Sequence, residues 1–204
     1  MQKENNARFV SFEGGEGSGK TTQSSLLHEH LVKKSIKAIL TREPGGSDLG
    51  EELRILLKKQ HNPKAELLLL LASRHDHVQN LILPGLASGN WVICDRFIDS
   101  TMCYQGLLKE LGIDYIKNLH AQIIGEVWPN FTFLMDLPTK YIKDRINTRE
   151  NLTHYDTMPV EQHEKVRNGF LEIAKSFPNR IVVLDATKDP KIIHEEIVKL
   201  LGVL

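Results

Sequence analysis

Five short apolar runs punctuate the chain, at residues 8–12, 37–40, 91–94, 131–135 and 181–184. They are rich in Val, Ile and Phe and do not alternate cleanly with polar residues. Strands covered on both faces read this way, because neither side of them meets water. Between the runs the period changes to that of a helix. Residues 21–34 form one such segment. A longer one is expected over 63–88, with Asn62 as N-cap and Pro63 at the first helical position. Tyr115, Ile116, Leu119, Ile123, Ile124 and Val127 fall on one stripe, and so do Val166, Phe170, Ile173, Ala174 and Phe177 within 160–177. Strands alternating with helices predict an α/β fold: a five-stranded parallel sheet with helices on both faces, in a single domain over 1–204.

In such sheets ligands bind beyond the carboxyl ends of the strands. The residues that follow the runs are therefore informative. They are Glu13, then Thr41-Arg42-Glu43, Asp95-Arg96, Asp136 and Asp185. Charge collects at one edge of the expected sheet.

Composition narrows the partners. The chain has 204 residues with 26 basic and 26 acidic side chains, so no global cationic field attracts nucleic acid or an anionic membrane. Its two cysteines, Cys94 and Cys103, are too few for a disulfide framework and lack zinc-site spacing. The polar start is unlike a signal peptide, and the longest apolar run, 67–72, is too short to span a bilayer. A cytoplasmic protein with neither nucleic acid nor membrane as partner is the expectation.

The first run leads into Gly14, Gly15, Glu16, Gly17, Ser18, Gly19, Lys20 and Thr21, which fit G-x-x-x-x-G-K-[ST] in full, between a strand and a helix. Glycines let such a loop turn its N–H groups inward around a polyphosphate, and the next helix adds its positive end. This P-loop is expected to bind ATP through residues 14–22, Thr22 included. Lys20 would hold the β and γ phosphates, and Thr21 would offer its hydroxyl to Mg²⁺. Transfer of a phosphoryl group needs a second anion site for the acceptor. Arg42, Arg74 and Arg96 are candidates for it. The guanine-reading motif N-K-x-D of a GTPase is not found in the sequence.

Three further stretches carry a family resemblance. Thr41-Arg42-Glu43-Pro44-Gly45-Gly46 resembles the T-R-E-P-G-G loop of thymidylate kinases. Residues 95–106, from Asp95-Arg96-Phe97 to Tyr104-Gln105-Gly106, resemble the family's D-R-[YFH]-x-x-S-x-x-A-Y-Q-G signature. Ala65-Glu66 through Arg74 is similar to its A-E-x-L-L-x-x-A-x-R helix. The resemblance covers nearly the whole chain. It implies the reaction ATP + dTMP ⇌ ADP + dTDP with Mg²⁺, and a homodimer formed through helices such as 63–88 and 115–127.

The resemblance also implies roles. Arg42 and Arg96 grip the dTMP phosphate, a task suited to forked guanidinium donors. Asp95 helps hold Mg²⁺ or a metal-bound water. Glu16 meets the sugar 3′-hydroxyl, Tyr104 crowds the 2′ position, and Thr101 and Arg74 read the thymine edge. Pro44, Leu70, Ser100 and Gln105 complete the acceptor site. The Glu43–Pro44 peptide is expected to be cis. A mobile lid is expected over about 138–157, where Arg145 and Arg149 close on ATP and, with Lys20, Asp95 and Arg96, form the catalytic set. The P-loop itself contains no arginine, so that charge falls to the lid.

The chain departs from the family pattern at three places. Tyr155-Asp156-Thr157-Met158 stands where D-R-[FY]-E is usual, His163 occupies a usually aromatic position, and Leu70 replaces a phenylalanine that stacks on thymine in many members. Two other readings stay open at this point. One is a kinase for another monophosphate (dUMP, dCMP or AMP). The other is a nucleotide-dependent binding switch.

Overall fold

A computed structural model describes residues 7–146 and 155–204. All five expected strands are present: β1 (Phe9–Glu13), β2 (Ala38–Arg42), β3 (Trp91–Asp95), β4 (Phe131–Asp136) and β5 (Ile181–Asp185). They form one parallel sheet in the order β2-β3-β1-β4-β5. Each strand ends on a charged residue, and the register aligns several of these ends: Arg42 opposite Asp95, Phe12 opposite Asp95, and Asp136 opposite Asp185. The predicted charged edge is therefore a physical edge of the sheet.

Both faces of the sheet are covered, which accounts for the absence of alternation in the strand sequences. On one face Phe9, Val92, Cys94 and Leu134 pack with Leu67, Leu71, Ile116 and Phe170. On the other, Val10, Phe12, Ile93, Phe133 and Met135 pack with Leu27, Leu31, Ile193 and Ile197.

The helices are α1 (Lys20–Lys33), α2 (Asp48–Leu56), α3 (Pro63–His77), α4 (Leu83–Ala87), α5 (Ile98–Thr101), α6 (Ile113–Ile123), α7 (Ile142–Ile146), α8 (Val160–Ser176) and α9 (Pro190–Leu201). Asn62 caps α3 as expected, its Oδ1 accepting the Lys64 N–H at 3.1 Å. The helix foreseen over 63–88 is three segments in succession: α3, a π-helical turn at Val78–Ile82, and α4. Pro84 supplies a reason. It has no N–H, and in a regular α-helix its ring meets the carbonyl four residues back, a conflict that a widened turn relieves. A second π-helical turn, Met102–Leu108, continues α5. The sequence pattern did not foresee α2, α5, α7 or α9. The stripe read over 115–127 is α6, which begins at Ile113 and ends at Ile123, so Val127 lies beyond it.

Candidate active site

A cavity of about 690 Å³ lies at the carboxyl edge of the sheet, and the P-loop forms one wall of it. Gly14, Gly17 and Gly19 have φ of 138°, 73° and 93°, in the region that favours glycine. At Gly14 a Cβ would also lie 2.6 Å from the Met135 carbonyl oxygen, so no side chain fits between the P-loop and β4. Lys20 is buried, and its Nζ donates to the Gly14 and Gly15 carbonyls at 3.0 and 2.7 Å. Burial, reinforced by the Arg96 charge, lowers its pKa to about 8. Ser18 Oγ donates to the Gly15 carbonyl at 2.8 Å. Thr21 Oγ1 donates to Asp95 Oδ2 at 2.5 Å, which brings the two expected metal-holding residues together at the cavity. Thr22 lines the same wall.

Against the loop stands a cluster of charged and aromatic side chains that takes in the loop's own Glu16. Arg96 has φ 70°, a left-handed conformation uncommon for a residue with a side chain. From there its Nη2 donates to Glu16 Oε1 at 2.5 Å, and its Nη1 donates to the Gly14 carbonyl at 3.1 Å and to Ser100 Oγ at 3.0 Å. Tyr104 donates its hydroxyl to the same Glu16 oxygen at 3.1 Å. Burial works against the Arg96 charge, but Glu16, Tyr104, Asp95 and Glu13 together outweigh it and raise the guanidinium pKa. Burial and Glu16 together push the Tyr104 hydroxyl well up, so it stays a donor. Glu13, the last residue of β1, was read from the sequence only as one of the charged strand ends and was given no site role. Its Oε1 accepts the Phe97 N–H at 2.8 Å and its Oε2 accepts the Ser100 hydroxyl at 2.5 Å, which fixes the turn that bears Arg96. Burial, then the Asp99 charge, pushes the Glu13 carboxyl up to about 8.

The far end of the cavity is built from α2, α3 and the turn after β2. The Glu43–Pro44 peptide is cis. Arg42 pairs with Glu51 through Nη2, at 2.9 and 3.1 Å to its two oxygens, and remains half exposed at the rim. Arg74 is buried and donates from Nε to Glu43 at 2.7 Å and from Nη2 to Thr101 Oγ1 at 2.9 Å. Pro44, Leu70, Ser100, Thr101 and Gln105 line the same space.

Arg54 lines it too and was missed. Its Nη1 donates to the Pro44 carbonyl at 2.7 Å, and burial together with the nearby Arg42 charge lowers its pKa. Finding it required α2, a short helix whose apolar positions Leu49, Ile55 and Leu56 are exposed and so offer no core-facing stripe.

Tyr155 stands at the first of the described positions where the 155–158 stretch departs from the family pattern. Its ring meets Tyr104 edge-on with centroids 4.8 Å apart, its hydroxyl donates to Glu66 Oε1 at 2.5 Å, and it lines the cavity with Asp156. Gln105 and Lys109 donate to the same Glu66 carboxylate, both at 2.6 Å. Arg145 lies over the P-loop, with Nη2 donating to the Ala186 carbonyl at 2.9 Å and Nη1 to the Gly17 carbonyl at 3.4 Å. Arg149 lies outside the described residues. Asp136 is drawn away from the cavity by Arg167, which binds it bidentately at 2.7 and 3.0 Å. His163 is buried in α8.

Comparison with known proteins converges on one family. The family described as Thymidylate kinase matches residues 12–197. A thymidylate kinase of Rickettsia bellii (strain OSU 85-389) is 42% identical, with 100% of both chains covered. One from Rickettsia africae (strain ESF-5) is 42% identical over 94% of this chain and 96% of its own. The crystal structure of a thymidylate kinase from Ehrlichia chaffeensis superposes with a TM-score of 0.78 at 37% identity, covering 96% of this chain and 98% of that one. The P-loop wall and the facing arginine cluster thus sit on a fold that is a P-loop NTPase in its topology, and the chain belongs to the thymidylate kinase family.

Proposed function

We propose that this protein phosphorylates dTMP: ATP + dTMP ⇌ ADP + dTDP. The observation that carries the reading is that one cavity holds both a P-loop and, joined to it through the loop's own Glu16, the side chains of Arg96 and Tyr104. A donor polyphosphate in the loop and an acceptor phosphate at Arg96 and Arg42 would face each other for in-line transfer.

Each residue then has a task. Lys20 leaves its two carbonyl partners for the β and γ phosphates, and the loop N–H groups cradle the rest. Arg96 and Arg42 bind the acceptor phosphate, with Ser100 beside Arg96. Glu16 accepts from the 3′-hydroxyl, and Tyr104, fixed on Glu16, closes the 2′ side against ribose. Arg74, Thr101, Leu70, Gln105 and Pro44 bound the base. Arg145, from the proposed lid over 138–157, adds positive charge beside the transferring group, and Arg149 is assigned there by resemblance.

Thr21 and Asp95 offer hard oxygen ligands side by side, a donor set suited to Mg²⁺. When bound there, Mg²⁺ would neutralise phosphate charge. Among the described residues no group of three or more His, Cys, Asp or Glu could hold a metal, which fits an ion held mainly by nucleotide phosphates and water.

A cytoplasmic homodimer is proposed from the family resemblance. Leu68 on α3 and Tyr115 and Ile123 on α6 are apolar, exposed and available for a partner copy. Sedimentation of the protein at micromolar concentration tests the dimer, and a monomer would exclude it.

The function itself is tested by coupled measurement of ADP release with dTMP, dUMP, dCMP and AMP as acceptors. The expected result is highest kcat/KM for dTMP. Turnover with dTMP no better than with AMP or dCMP overturns the reading.

A further inference from the structure

Arg74 is the guanidinium nearest to where a base would lie, and it is held from behind. Glu43 Oε2 accepts from its Nε at 2.7 Å, and Thr101 Oγ1 from its Nη2 at 2.9 Å. The Phe97 ring lies under the guanidinium, 4.9 Å from centroid to Cζ. Its Nη1 is buried and has no hydrogen-bond partner among the described residues. A buried donor left unpaired is costly, and the residue that carries it is one of those lining the cavity.

The holder is itself held. Glu43 Oε1 is 3.0 Å from His77 Nδ1, and His77 Nε2 is 2.7 Å from Thr41 Oγ1. His77 and Arg74 are 0% and 2% exposed, Glu43 5% and Thr41 8%, so the whole relay is inside the protein. Burial alone would raise the Glu43 carboxyl, but Arg74 and His77 more than offset it and hold the group below its usual value. An ionised carboxylate only accepts, so Nδ1 carries the proton. Nε2 is paired with the Thr41 hydroxyl, so both ring nitrogens of His77 are engaged, one with Thr41 and the other donating to Glu43.

The backbone is shaped around this imidazole as well. Gly46 has φ 78°, and a Cβ there would collide with both His77 Nε2 and Thr41 Oγ1. The loop from Thr41 to Gly46 is thus wrapped on His77, which lies on α3 one turn beyond Arg74.

We propose that His77 is a positioning residue for acceptor recognition: it fixes Glu43, and through Glu43 it aims the Arg74 guanidinium at the acceptor base. Thymine presents a carbonyl at ring position 4, which accepts a hydrogen bond. Cytosine presents an amine there, which donates. A rigidly aimed guanidinium, which can only donate, favours the first and leaves the second unpaired. His77 would then set selectivity between pyrimidines without touching either.

The inference rests on the dTMP reading and deepens it. The test is the ratio of kcat/KM for dTMP to that for dCMP, with KM for ATP as control and the unfolding midpoint recorded for each variant. His77→Gln keeps a group near Nε2 but removes the donor to Glu43. It is expected to lower the ratio about tenfold and raise KM for dTMP about tenfold, with KM for ATP changed by less than about twofold. His77→Asn keeps an N–H near Nδ1 and is expected to stay within about threefold of the parent ratio. Thr41→Val, at the outer end of the relay, is expected to lower the ratio about threefold and serves if His77→Gln does not fold. An unchanged ratio in His77→Gln overturns the inference, as do equal losses in the two His77 variants or a rise of KM for ATP in step with KM for dTMP. If His77→Gln does not fold, an unchanged ratio in Thr41→Val overturns it. If the parent protein prefers another monophosphate, the dTMP reading fails instead, and the same KM split measured on that monophosphate decides the role of His77.

Discussion

Cations on the two sides of the cavity have different partners. On the acceptor side three arginines are held by carboxylates, Arg96 by Glu16, Arg74 by Glu43 and Arg42 by Glu51, while Arg54 donates to the Pro44 carbonyl. On the donor side Lys20 and Arg145 donate to backbone carbonyls, those of Gly14 and Gly15 for one and of Gly17 and Ala186 for the other. A carbonyl is a neutral acceptor, and a phosphate bearing full negative charge displaces it readily. A carboxylate competes with phosphate on nearly equal terms. The acceptor arginines are therefore aimed in advance and keep their partners while binding. The donor-side cations can exchange their carbonyl bonds for bonds to a phosphoryl group in flight, where charge counts most.

That contrast can be broken experimentally. Arg145→Ala should reduce kcat on the order of 10³-fold, as for arginines that neutralise a transferring phosphoryl group. It should leave KM for dTMP nearly unchanged, because the Gly17 and Ala186 carbonyls it releases lie on the P-loop side of the cavity. A large fall in KM-based affinity for dTMP would erase the division between the two sides.

Arg74→Met should do the reverse. It takes the charged partner from the buried Glu43 carboxylate and leaves it only His77, at a cost of about 3–5 kcal/mol. That corresponds to roughly 10 °C in Tm for a chain of this size. Differential scanning calorimetry checks it, and a midpoint within about 2 °C of the parent would show that Glu43 is not held as described.

A pH profile sharpens the difference further. With its pKa lowered to about 8, Lys20 loses its proton as pH rises above that value. Only the protonated form attracts phosphate, so kcat/KM for ATP should fall above about pH 8 while the arginines keep their charge. Stability shifts with the opposite sign. Between about 8 and its ordinary 10.5, Lys20 binds more protons in the unfolded chain than in the folded one, so this group's contribution to stability rises with pH across that window. A flat kcat/KM for ATP up to pH 10 would exclude the lowered value.

The smallest effect is expected at the rim. Glu51→Gln breaks a half-exposed pair with Arg42, and its cost to stability should stay below about 1 kcal/mol. Equilibrium urea unfolding measures it.

How much of this could be read beforehand follows from how local each signal is. The P-loop, the charged strand ends and the T-R-E-P-G-G loop are contiguous, so spacing alone brings their residues together. Arg42, Arg74, Arg96, Glu16, Thr21 and Asp95 all reach one cavity as the sequence suggested. What was not legible depends on distance along the chain or on an unusual helical period. Glu13 meets Phe97 and Ser100 across 84 and 87 residues. Tyr155 reaches Glu66 across 89. Arg54 sits on a helix with too little buried surface to leave a stripe. The π-helical turns escape any search tuned to 3.6 residues per turn.

One of those turns limits how this protein can change. The π-helical stretch Met102–Leu108 carries Tyr104 and Gln105, neighbours in sequence that both face the cavity. Such a turn is in effect an α-helix with one residue too many. Losing a single residue there would restore regular helical bonding, so the fold has little reason to object. Everything downstream in that helix would rotate by roughly 100°. Hydroxyl and amide would swing out of the cavity, and the core contacts of Tyr104, Leu107 and Leu108 would have to be remade, while the strands and the P-loop kept their places. Chain length in this stretch is thus a functional trait in its own right, and a one-residue deletion is a quieter way to lose the acceptor than any substitution.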